Sequence, residues 1–207
     1  MKLYYFPYTD NNRKVLAVVH HLGLSIELVE IDLLKGEHLK PDYHKLNPNH
    51  KAPVLQDGDF LLWESNAIMQ YLSSQMSDND LWPADPKIQA DIARWQFWQT
   101  AQWGPPCGVM NFQRLIKPLI GQTPNEAAIE KVQKDFATNA DVLNQHLRDR
   151  QWLVGANVTL ADLAVGAPLH VAQVSQIPLE PYPEIRRWYA DLEQWDAWKK
   201  SAPPPIK

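Results

Sequence analysis

Lys51-Ala52-Pro53-Val54-Leu55, followed by Trp63-Glu64-Ser65-Asn66-Ala67-Ile68, decides the reading of this chain. A proline behind a small residue, where a loop enters a strand, is a place at which a cis peptide bond costs only about 0.5–1 kcal/mol. Such a bend turns the flanking backbone N–H and C=O outward, and an extended peptide can pair with them as an added strand. Glu64-Ser65 then closes one strand and opens a helix expected over 66–74, so the Ser65 hydroxyl and the first helical N–H groups can hold a carboxylate. Glu64 offers a negative partner to an α-amino group. The pattern suits a short peptide gripped by its main chain and its charged ends.

Working outward, residues 2–6 read as a strand, and Val15, Leu16, Val18, Val19 and Leu22 recur at helical spacing until Gly23. A second strand follows over 26–31, then an irregular segment around 35–50. Strands at 54–56 and 60–63 are joined through the turn signal Asp57-Gly58, and a helix runs over 65–75. This order predicts a thioredoxin-like α/β domain over 1–77, with a proline-punctuated linker over 78–85. No convincing strand follows. Ile129, Val132, Phe136, Ala140, Leu143 and Leu147 keep helical period, as do Ile185, Trp188, Tyr189, Leu192 and Trp195, so 86–207 is expected to be an all-α C-terminal helical bundle. Pro105-Pro106 should break or kink the helix that starts near Pro86, and the triple proline in 201–207 should be extended. Thr159-Leu160-Ala161-Asp162 has the form of a capping box with a structural role.

Composition excludes several function classes. A chain of 207 residues with formal charge −4 has no basic footprint for nucleic acid or an anionic membrane. No stretch approaches a membrane span, and the N-terminus runs straight into a strand, so a cytoplasmic protein is expected. One cysteine, Cys107, rules out an internal disulfide or an all-cysteine metal site. The seven histidines form no metal-ligating motif; the adjacent His20 and His21 point in different directions on a helix.

The first motifs, taken with Gly36-Glu37-His38-Leu39-Lys40-Pro41 and Asn47-Pro48-Asn49-His50 in the same order and at similar spacing, resemble the cytosolic glutathione S-transferases. The likeness covers the whole chain, and its N-terminal part is most similar to the delta and theta classes, as in a bacterial enzyme. The resemblance places Pro53 at the family's cis-proline and Glu64-Ser65 at its γ-glutamyl clamp. It implies glutathione as co-substrate without a metal, with the Ala52 backbone at the cysteine and His50, His38 and Lys51 near the glycine. It also implies a homodimer.

A free thiol with a pKa near 8.5 is only a few per cent ionised at neutral pH, so the site must favour the thiolate by about 2.7 kcal/mol to lower that pKa by about two units. A hydroxyl donor at a helix N-terminus can supply this. In the loop Phe6-Pro7-Tyr8-Thr9-Asp10-Asn11-Asn12, Thr9 falls where the delta-like classes place a catalytic serine; Asn11 and Tyr5 are rival donors. Asp10 would oppose the thiolate if it lay beside the sulfur, and its simpler role is the N-cap of the first helix. On the resemblance, Tyr8, Trp103, Val109 and Phe112 line a site for a small apolar electrophile. Periodicity puts Trp95, Trp98 and Gln102 on one helix face and Gln99 and Trp103 on another. The expected activity is conjugation of glutathione to small hydrophobic electrophiles in detoxification. A glutathione-dependent disulfide or peroxide reductase and a non-catalytic binding module are the alternatives.

Overall fold

The computed structural model describes residues 1–77 and 79–204, so Asp78 of the expected linker and Pro205, Ile206 and Lys207 of the expected extended tail lie outside the described residues. Contacts divide the chain into two compact units: Met1–Pro83 with the segment from Trp195, and Ala84–Gln194.

The first unit is built on a four-stranded mixed sheet in the order β2-β1-β3-β4, with β1 at Lys2–Tyr5, β2 at Glu27–Glu30, β3 at Val54–Asp57 and β4 at Phe60–Trp63. Strand β1 runs parallel to β2 and antiparallel to β3, placing Leu3 opposite both Leu28 and Leu55. Leu3, Val54 and Leu55 are wholly buried, as expected of interior strands whose apolar side chains fill a core. Helices α1 (Asp10–His21) and α3 (Ser65–Ser74) bring Val15, Val18 and Val19, and Ile68, Met69 and Leu72, to that core. The segment expected to be irregular contains α2 (Pro41–Leu46), which starts at a proline whose missing N–H is no loss in a first turn. His21 is structural: its ring meets Asp80 at 2.8 Å and packs 4.8 Å from Trp195.

The expected C-terminal domain over 86–207 is too long at its end. Helix α10 (Asp196–Lys200) belongs with the first unit because Trp198 is fully buried under the Arg13 guanidinium of α1, 4.2 Å from its ring centre. A cation over an indole face adds electrostatic attraction to the area buried.

In the second unit the two prolines do not break the helix. Helix α4 (Pro86–Trp98) passes through a π-helical segment, Gln99–Trp103, into α5 (Gly104–Asn111). Pro106 has no N–H to offer the carbonyl of Gln102 four residues back. Asn139 makes up the loss by donating Nδ2–H to that oxygen at 2.9 Å. Only glycine fits at 104, where an added Cβ would lie 2.8 Å from the Gln99 carbonyl oxygen. The wider π turn also brings Trp98 and Trp103 into a stack at 5.8 Å, contrary to the separate faces that a 3.6-residue period predicts. Trp103, expected on the electrophile wall, is instead core: fully buried, against Phe136 at 5.2 Å, with Nε1–H donated to the Val165 carbonyl.

A second π segment, Phe112–Ile116, leads to α6 (Lys117–Leu119). Helix α7 (Glu126–His146) buries Ile129, Phe136, Ala140 and Leu143; α9 (Pro183–Gln194) buries Ile185, Trp188 and Leu192. Between them, α8 (Leu160–Gly166) opens on the expected capping box at Thr159 and Asp162. The wholly buried Asp162 carboxylate accepts bonds from Leu153 N, Thr159 N, Thr159 Oγ1 and Trp188 Nε1, all at 2.9–3.0 Å. Burial pushes its carboxyl up, against four donors that favour the anion. Asp162→Ala would strand those donors, so urea denaturation should show a loss of about 3–5 kcal/mol.

Candidate functional site

The turn from β1 into α1 is tied by one side chain. Asn12 is fully buried; its Oδ1 accepts Phe6 N–H at 3.2 Å, and its Nδ2 donates to Thr9 Oγ1. Thr9, not Asp10, is the N-cap of α1, accepting the Asn12 N–H at 3.4 Å. Asp10 is the first helical residue and accepts its neighbour's N–H through Oδ1 at 2.7 Å. Because Thr9 Oγ1 accepts two bonds, its own proton is left to be given outward. Asn12, three residues after the cap, was the missed partner, and its position at the third helical residue is the signal that pointed to it.

A second anchor crosses from α1 to α3. Ser65 Oγ donates to Asn11 Oδ1 at 2.9 Å, so Asn11 is bound to the start of α3. Glu64 precedes that helix in the left-handed region at φ 73°, with no side-chain cap bond. A non-glycine residue held there stores on the order of 1–3 kcal/mol, a cost characteristic of functional sites. Glu64 itself is exposed and Ser65 is buried. Lys14, which sequence reasoning passed over, is only 1% exposed and donates from Nζ to Asn66 Oδ1 at 2.8 Å. Its signal was its place on the apolar stripe with Val18 and Leu22. Burial pushes its ammonium down to about 8, with Asp10 and Glu64 pulling the other way.

The Ala52–Pro53 peptide is cis. The loop before it is held by the Lys51 carbonyl, which accepts Tyr43 Oη–H at 2.9 Å and Asn47 Nδ2–H at 2.7 Å. The Tyr43 phenol is pushed up to about 12 by burial, so it stays a donor. His50 sits at φ 54°, its Nδ1 2.8 Å from the His38 carbonyl and its Nε2 3.2 Å from His44 Nδ1. A carbonyl only accepts, so His50 Nδ1 carries a proton. His38 Nδ1 is buried without a partner, and the Lys51 side chain is exposed.

Tyr5 lies outside the bonded set of Thr9, Asn11 and Ser65. It is in register with Glu30, and burial, then the Glu30 charge, raise its phenol. Tyr8 packs edge-on against Phe6 at 5.3 Å. In the second unit Val109 is half-buried and Phe112 is exposed. No group of three or more metal-ligating side chains occurs among the described residues.

Residues 1–74 match the glutathione S-transferase N-terminal domain and residues 126–191 the C-terminal domain. Glutathione S-transferase 3 of Zea mays is 33% identical over 99% of this chain and 96% of its own. The chain belongs to the glutathione S-transferase family. Among solved structures, glutathione transferase F7 from Populus trichocarpa superposes with TM-score 0.89 at 27% identity, over 97% of this chain and 96% of that one. A glutathione S-transferase-I bound with lactoylglutathione gives 0.86 at 25% identity, over 97% of both. The delta and theta likeness of the N-terminal motifs remains a resemblance, since these maize and poplar relatives are plant enzymes. Within the transferase, no helix among the described residues is long and apolar enough to cross a membrane.

The lowered Lys14 pKa has a stability consequence. Between about pH 8 and its ordinary value the unfolded chain holds a proton that the folded chain has released, so folding stability rises with pH across that window. Below it both states are protonated, and the full penalty of about 3 kcal/mol is present. Lys14→Met should therefore raise stability near neutral pH by about 1–3 kcal/mol and flatten the alkaline rise, as read by urea denaturation across that range.

Proposed function

We propose that this glutathione S-transferase grips glutathione by three sets of groups in its first unit and activates the thiol at Thr9. Glu64 takes the glutamyl ammonium, while the first N–H groups of α3, with the Ser65 hydroxyl exchanging its bond to Asn11 for one to the ligand, take its α-carboxylate. The Ala52 main chain pairs with the cysteinyl residue, with Pro53 closing that loop, and His50, His38 and Lys51 face the glycyl carboxylate. The observation that carries the thiol assignment is the hydrogen-bond inventory of the loop. Thr9 Oγ1 already accepts twice and has a proton to donate at the cap of α1, whereas the Asn11 side chain, whose donor is Nδ2, is tethered through its carbonyl to Ser65 of α3, and Tyr5 sits beside Glu30. Thr9 also caps α1, so a thiolate there lies at the positive end of the helix dipole.

The thiolate then attacks a small apolar electrophile, forming a C–S bond and expelling the leaving group, or adding across a polarised double bond whose carbanion takes a proton from solvent. The half-buried aromatic ring of Tyr8 favours an apolar partner. Detoxification of such compounds in the cytoplasm is the setting this reading implies.

Thr9→Ala should raise the pKa of bound glutathione, seen in thiolate ultraviolet absorbance, and lower kcat about ten- to a hundredfold with an aryl halide, leaving the KM for glutathione nearly unchanged. Thr9→Ser should retain activity. A Thr9→Ala enzyme with an unshifted thiol pKa would move the assignment to Asn11 or Tyr5. Glu64→Ala should weaken glutathione binding by about 2–3 kcal/mol in calorimetry. The working unit is proposed to be a homodimer through α4, where Phe97 is 74% exposed; sedimentation at micromolar concentration should give twice the chain mass.

A further inference from the structure

A lysine at position 14 makes no sense as a stabilising residue. Its side chain is 1% exposed, yet the hydrogen-bond partner of its Nζ is the neutral amide of Asn66, not a carboxylate. Removing an ammonium from water is costly unless a counter-charge repays it, and a Met or Leu would fill the same apolar stripe without that cost. The location makes matters worse for the apoprotein, because Asn66 is the second residue of α3, whose N-terminus already bears partial positive charge. The charges around Lys14 are few. Asp10, one turn earlier on α1, and Glu64, just before α3, both favour the ammonium. Helix α3 carries no charged residue, and on α10, also packed against α1, Asp196 is paired with Lys200 at 2.7 Å.

An arrangement that is poor for the empty protein becomes favourable when an anion arrives at the start of α3. We infer that Lys14 is a positioning residue for the glutamyl end of glutathione, a buried cation that fixes the first turn of α3 through Asn66 and supplies the positive charge balancing the ligand's α-carboxylate. Glu64 is then left to meet the ligand's ammonium, so the zwitterionic amino-acid end faces one protein charge of each sign. This rests on the proposed placement of that end at Glu64 and Ser65. A carboxylate bound nearby favours the protonated amine, so by linkage affinity is higher while Lys14 keeps its proton and falls as pH rises through about 8.

The test measures the Kd of S-methylglutathione, whose blocked thiol cannot titrate, by calorimetry between about pH 6.5 and 9. Ionisation of the ligand's own amine is common to all variants and cancels in their ratio. At the acid end Lys14→Met should bind about tenfold more weakly than the parent while unfolding at higher urea, so affinity and stability move in opposite directions. The affinity gap should close toward about pH 9, and Lys14→Arg, which keeps its charge, should gain affinity relative to the parent as pH rises and the parent's lysine loses its proton. Parent-like affinity of Lys14→Met at the acid end overturns the inference, as does a gap that stays constant with pH, which would mean a packing role. If Lys14→Met does not fold, the ratio of Lys14→Arg to the parent decides: a ratio that does not vary with pH overturns the inference. Glu64→Ala separates the two levels. Unchanged binding in that variant refutes the clamp itself, whereas lost binding there with none lost in Lys14→Met refutes only the role of Lys14.

Discussion

The first turn of α3 presents backbone N–H groups to which no side chain of its N-cap is bonded. Four other helices start under a side-chain cap, whereas α2 and α10, like α3, do not. Thr9 caps α1, Asp85 caps α4, Asn125 caps α7, and Thr159 with Asp162 caps α8 reciprocally. Uncapped donors are a cost to the folded chain and an opportunity for a ligand anion. Around this one helix start the fold gathers a left-handed Glu64, a buried Ser65 tied to Asn11, and a buried ammonium at Lys14. Each is locally unfavourable or neutral for stability, and together they are the groups proposed to meet the amino-acid end of glutathione.

Asp162 and Lys14 show two uses of a buried charge. Asp162 accepts four hydrogen bonds, three of them from N–H groups that can only donate, so its carboxylate is satisfied within the protein and its role is architectural. Lys14 has one neutral partner and two acidic groups acting through space, so its ammonium is incompletely satisfied within the protein. The distinction rests on counting partners, since both side chains are equally inaccessible to water.

Rigidity comes to the site from behind. Asn12 joins the end of β1 to the cap of α1, and Trp198 under Arg13 packs the C-terminal helix α10 onto that same helix. The loop carrying Ala52 is fixed by two donors to the Lys51 carbonyl. A site held by such contacts keeps its donors aimed before substrate arrives, which is what electrostatic stabilisation of a thiolate requires.

The sequence by itself determined the strand order with helices α1 and α3, the hairpin at Asp57-Gly58, the capping box at Thr159 and the ordered motifs from Gly36 to Ile68, because each depends on spacing within a few residues. Only the tertiary structure decided the rest. The π turn before Pro105 depends on Asn139, distant in the chain, accepting the role of donor to Gln102; that turn shifts the helical phase and sends Trp103 into the core. The assignment of α10 to the first unit depends on Arg13 meeting Trp198 across 185 positions. Lys14 lies in sequence on the apolar stripe of its helix, but only the packing of α1 against α3 strips it of water and turns it toward Asn66. Periodicity records which residues share a face, but the partner that face meets, and hence the cost of burying a charge there, is set by segments far apart in the chain.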